Sequence, residues 1–105
     1  MIKYQMELTP LAKAQLREIF EYIATEFKDK EAAKRSVKII ENAIYLIGLN
    51  PGIGVRLYDK VLDLPDNFPH RIFVSKRYKI IYVVKETTIY ITHILGKRQD
   101  FYNLF

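Results

Sequence analysis

The run Lys79-Ile80-Ile81-Tyr82-Val83-Val84 is apolar on both sides of an extended chain once Lys79 is passed, and such a strand needs cover on both faces. That demand limits the architecture more than any other feature. It calls for a central place in a sheet, with helices packed on one face. The surrounding sequence supplies the neighbours, with strands expected at about 70–75, 78–84 and 88–95 joined by short turns around Lys76-Arg77 and Lys85-Glu86-Thr87. Together these make an antiparallel meander.

The helices come from the first half. Ile2, Tyr4, Met6 and Leu8 alternate with Lys3, Gln5 and Glu7, the period of a half-buried strand, and Thr9-Pro10 then reads as a helix cap followed by a proline that needs no N–H partner. Ala12, Leu16, Ile19, Phe20, Ile23 and Phe27 recur at helical spacing, which predicts a first helix over about 10–27. Asp29 is positioned to cap a second, whose apolar set is Ala33, Val37, Ile40, Ile44 and Ile47 and which ends near Leu49. So short a link folds two helices back as an antiparallel hairpin. The fold class is therefore α+β: an N-terminal strand and a two-helix hairpin packed on a mainly antiparallel twisted sheet. The opening strand joins one edge of that sheet, and the pattern leaves open which. Asn50-Pro51-Gly52 stops the second helix, and a connection of about twenty residues follows, in which Leu57, Val61, Leu62 and Leu64 point to a short strand or irregular arm lying back on the core.

A chain of 105 residues, half of them hydrophobic, can bury one core, so residues 1–105 are expected to form a single domain. It contains no cysteine, which excludes disulfides and thiol nucleophiles, and the two histidines, His70 and His93, cannot make a metal site by themselves. No cofactor is expected. Without a phosphate-cradling glycine-rich loop, nucleotide hydrolysis is not indicated either. No run approaches the length of a membrane span, and MIKYQMELTP lacks the apolar region of a signal peptide, so a cytoplasmic location is expected, with no membrane partner.

Charge is concentrated at the C-terminal end. Residues 1–69 carry ten Lys/Arg and ten Asp/Glu, whereas residues 70–105 carry Arg71, Lys76, Arg77, Lys79, Lys85, Lys97 and Arg98 against Glu86 and Asp100, so that the net +5 is local. Clustered cations on a sheet suit a polyanion or an acidic partner. The same lysines would also serve as solubilising charge that discourages edge pairing. The tail Ile94-Leu95-Gly96-Lys97-Arg98-Gln99-Asp100-Phe101-Tyr102 is equally two-sided. Cations at a strand end can grip phosphate and a tyrosine can assist proton transfer, while Phe101, Tyr102, Leu104 and Phe105 read as anchors of a packed arm.

Taken in order, several phrases resemble a known family. They are the strand running into Thr9-Pro10, then Ile19-Phe20-Glu21-Tyr22-Ile23-Ala24, Ala32-Ala33, Leu49-Asn50-Pro51-Gly52-Ile53-Gly54, Arg77-Tyr78-Lys79-Ile80-Ile81-Tyr82 and Ile94-Leu95-Gly96-Lys97-Arg98-Gln99-Asp100. Their order and spacing resemble toxins of the RelE/ParE superfamily from type II toxin–antitoxin modules. The two long helices are more similar to the ParE-like, plasmid-stabilisation branch. That resemblance implies a growth-inhibiting toxin released from a cognate antitoxin and acting on DNA gyrase. A homodimer or a heterotetramer with the antitoxin is a further expectation.

The alternative implied by the same resemblance is a RelE-like, metal-independent endoribonuclease that cuts messenger RNA on the ribosome. Carried over by position, Lys79, Arg98 and Tyr102 would then be catalytic, and Arg71 and Lys97 would support the phosphate, with Lys76 and Arg77 as further nucleic-acid or partner contacts. Lys79 replaces the family's arginine with a point charge that lacks its bidentate fork. A third option is an inactive or purely binding module on the same fold. His93, inside the last strand, is expected to be a half-buried packing residue.

Overall fold

The computed structural model describes residues 3–57 and 69–96. In chain order these form β1 (Gln5–Leu8), α1 (Pro10–Glu26), α2 (Lys30–Leu49), β2 (Val55–Arg56), β3 (His70–Ser75), β4 (Tyr78–Lys85) and β5 (Thr88–Leu95). The strands make one sheet in the order β1-β5-β4-β3-β2, with β1 parallel to β5 and every other pair antiparallel. This is the expected α+β arrangement, with β4 central. The edge that the alternation left open for β1 is the one beside β5. The long connection opens with a two-residue strand, β2, which precedes the residues expected to lie back on the core; of those, Leu57 packs against the Ile81 and Leu95 cluster, and Val61, Leu62 and Leu64 lie outside the described residues.

Both helix starts follow from their caps. The Thr9 hydroxyl accepts from the Ala12 N–H at 3.2 Å and donates to the Thr92 carbonyl at 3.3 Å, so one side chain begins α1 and ties it to β5. Asp29 accepts from the Ala32 N–H at 2.9 Å and begins α2. Phe27, expected on the packed stripe of α1, instead caps its C-terminus and is 60% exposed, set edge-on to Tyr22 with ring centroids 5.8 Å apart. The apolar period runs past the end of the helix, where Lys28 at φ 50° turns the chain. The charges on α2 are solvated, with a loose Lys34–Glu31 contact of 3.6 Å that contributes little.

Packing of the hairpin against one sheet face makes the main core. Ile40 and Ile47 from α2 meet Ile80, Tyr82, Ile89, Ile91 and Ile94, all fully buried. Each such isoleucine contributes about 1.5–3 kcal/mol, so hydrophobic burial outweighs every surface contact in holding the layers together. The alternation of β5 would break this core if it ran without interruption. A bulge prevents that: Ile81 pairs with His93 but Tyr82 pairs with Ile91, leaving Thr92 as an extra residue. Its hydroxyl bonds back to the Ile81 carbonyl at 3.2 Å. The parity of β5 is thereby reversed, and Ile94 joins the helix face while His93 and Leu95 go to the opposite one.

The bulge also needs a partner from outside the sheet. The buried Gln15 side chain of α1 accepts the Ile94 N–H at 2.8 Å. Gln15→Leu keeps the volume but leaves that N–H without its acceptor, and we expect a stability loss of about 1–3 kcal/mol. Urea unfolding should show a lower midpoint with an unchanged slope.

Candidate functional site

The face of the sheet turned away from the helices carries the candidate chemistry. Cross-strand register places Lys79, Ile81, Val83 and Lys85 of β4 there, with His70, Ile72 and Val74 of β3 and Tyr90, His93 and Leu95 of β5. Ile81 and Leu95 form a second, smaller cluster, flanked by Ile72 and Leu57. Lys79 is half-buried between Val74 and Leu95. Lys85, at the other end of β4, sits 5.7 Å from the Tyr90 ring centroid, a cation–π contact.

The turn between β3 and β4 carries Lys76 and Arg77, both exposed, with Lys76 held at φ 56°. They stand at the same end of the sheet as Lys79. The chain also leaves β5 at that end, since Leu95 is paired with Lys79. The expected contributions of Lys97, Arg98 and Tyr102 lie outside the described residues.

Arg71, grouped with these cations in the sequence reading, is placed apart from Lys79. Its register partner is Tyr82, which puts it on the helix face, and its Nη1 donates to the Gly54 carbonyl at 2.6 Å. The guanidinium belongs to a network that holds the link after α2. The Tyr82 hydroxyl donates to the Pro51 carbonyl at 2.6 Å and accepts from the Gly54 N–H at 2.9 Å. Burial pushes the Tyr82 pKa up, and the Gly54 hydrogen bond and the Arg71 charge partly offset that rise. Nothing in the spacing of Arg71 distinguished this role from phosphate contact. The available signal was Tyr82 itself, a polar tip inside an otherwise apolar strand.

The histidines were also underestimated. His70 stands opposite Val83 and His93 opposite Ile81, so the two imidazoles flank β4 on the same face. Each is only 5% exposed, which makes His93 buried rather than half-buried. His93 Nδ1 lies 3.0 Å from the Thr92 hydroxyl. Among the described residues no three His, Cys, Asp or Glu side chains gather as a metal site.

A two-helix hairpin thus packs on one face of a five-stranded sheet, and the exposed Lys76-Arg77 turn stands at one end of it. The family model described as "ParE toxin of type II toxin-antitoxin system, parDE" matches residues 6–101, and the chain belongs to that family. The fold is shared with a chain of the chromosomal ParDE TA system from P. aeruginosa, at 19% identity and a TM-score of 0.70, covering 91% of this chain and 98% of that one. A YoeB dimer from Staphylococcus aureus is similar at 21% identity and a TM-score of 0.48, covering 93% of this chain and 99% of that one. No curated protein matches the chain significantly. Among the described residues no helix is long and apolar enough to cross a membrane.

Two measurements check this geometry. A Cβ at Gly54 would stand 2.7 Å from the Tyr82 hydroxyl and 2.9 Å from the Ile72 carbonyl, so Gly54→Ala should cost about 1–3 kcal/mol in urea unfolding. His93 has a pKa below the ordinary 6.5, first because burial disfavours its charged form and second because of His70. The unfolded chain then takes up that proton more readily than the folded one. Stability is complete above pH 6.5 and falls as the pH drops through the lower folded value. His93→Gln should flatten that part of the pH profile.

Proposed function

We propose that this ParE-type toxin is held inactive by a cognate antitoxin and, when released, arrests growth by inhibiting DNA gyrase. The observation that carries the reading is the family match over residues 6–101. Helix lengths agree with it, since α1 and α2 run for 17 and 20 residues, the pair of long helices that the ParE-like branch has. The position of Arg71 points the same way. With its guanidinium on the Gly54 carbonyl and its side chain on the helix face, it does not join Lys79 in a phosphate-gripping set.

The antitoxin reading rests on electrostatics. Lys76 and Arg77 project from an exposed turn beside Lys79, a surface suited to an acidic segment that orders as it docks. Ribosome-dependent RNA cleavage is the second reading, favoured by one observation: β5 ends at Leu95 opposite Lys79, so the chain leaves the sheet at that lysine. In that case Lys79, Arg98 and Tyr102 would share charge neutralisation and proton transfer.

Purified toxin added to gyrase should reduce supercoiling or trap cleaved DNA, and induction in cells should lower DNA synthesis before protein synthesis. Lys79→Ala should leave that arrest in place. Cut messenger RNA, an early fall in protein synthesis, and loss of both in Lys79→Ala would overturn the gyrase reading in favour of cleavage.

A further inference from the structure

Among the described residues, no strand pairs with the outer edge of β1. β1 ends the sheet, with β5 on its inner side and no described strand beyond it. The Gln5 N–H donates to the Thr87 carbonyl at 2.9 Å and the Thr9 N–H to the Ile91 carbonyl at 3.0 Å. Backbone groups alternate in direction along a strand, so the odd residues 5, 7 and 9 face β5 while those of Tyr4 and Met6 face outward. Tyr4, Met6 and Leu8 turn their side chains to the helix core, and Lys3, Gln5 and Glu7 are exposed on the other face.

We infer that β1 pairs with β1 of a second copy of this chain, antiparallel about a two-fold axis at Gln5. The outward backbone groups restrict the register. Tyr4 and Met6 must be bonded positions, so registers displaced by one residue are excluded, because they would oppose groups already used by β5. Placing Gln5 opposite Gln5 sets Tyr4 against Met6 through their outward N–H and C=O groups. It also sets Lys3 of each copy opposite Glu7 of the other. Centring the pairing on Met6 instead would oppose Gln5 to Glu7 and leave Lys3 against Thr9, with no charge match.

Edge strands are usually protected from association by charges that repel or resist pairing. Here Lys3 and Glu7 are arranged so that the edge complements itself, as an isologous interface requires. The result joins two five-stranded sheets through their parallel edges. Lys76, Arg77 and Lys79 belong to β4 and the β3–β4 turn, on the far side of β5, and remain available to another partner.

Sedimentation equilibrium of the purified chain at low ionic strength should show a dimer that forms with rising concentration and weakens with salt. Hydrogen exchange should slow at the Tyr4 and Met6 amides as the dimer forms, while the Gln5 and Glu7 amides, already directed at β5, do not change. Glu7→Lys and Lys3→Glu, both at exposed positions, should each weaken self-association roughly tenfold, as like charges replace opposite ones. An equimolar mixture of the two variants, or the double swap in one chain, should restore it. A chain that stays monomeric throughout overturns the inference. So does a dimer indifferent to both substitutions, or one without protection at Tyr4 and Met6.

Discussion

Tyr82 carries a constraint on which much of the described structure depends. Its ring lies fully buried between the central strand and the hairpin, where a phenol is tolerated only if its hydroxyl is bonded. Pro51 and Gly54 meet that need, and both belong to the link that follows α2. One buried oxygen thus couples the end of the longer helix to the middle of the sheet. Because Gly54 approaches closely enough to exclude a side chain, β2 is brought beside β3 and its neighbour Arg71 finds the Gly54 carbonyl. The network thereby holds on the helix face a cation that charge counting alone groups with Lys79.

The two faces of the sheet have divided roles. One holds the isoleucines and tyrosines that support the helices, and its energetics are those of ordinary hydrophobic burial. The other combines a small apolar cluster with two buried imidazoles, Lys79 and the Lys85–Tyr90 contact. The division is set by the Thr92 bulge, for without it Ile94 and His93 would exchange faces. A histidine would then enter the helix core and an isoleucine would leave it. Thr9, Thr92 and Gln15 hold the bulge from three directions, which is a dense use of polar groups for one irregular residue.

Membership of the ParE toxin family accounts for the front half of the molecule as readily as for the sheet. The long hairpin supplies a rigid layer against which the meander is laid, and the basic turn lies at the end from which β5 departs. Neither feature requires a bound metal to be understood. Among the described residues of the basic C-terminal third, the exposed cations are Lys76 and Arg77. Charge neutralisation at that end is a separate matter from pairing along the β1 edge, which uses backbone groups at the opposite side of β5.

Much of this was legible in the chain itself because local periodicity has a direct physical cause. The helix caps at Thr9 and Asp29, the breaks at Asn50-Pro51-Gly52 and the two short turns all depend on residues adjacent in sequence, and the central place of β4 follows from apolar side chains on both its faces. The order of the phrases was enough to indicate the family. The alternation of β1 could establish a half-buried strand but not its neighbour, since either edge satisfies the same pattern. Only the assembled sheet placed it parallel to β5. Likewise Arg71 and Lys79 are equivalent as charges in a sequence, and register puts them on opposite faces. The bulge at Thr92 and the burial of His70 and His93 were decided by contacts between segments far apart in the chain, which no local period records.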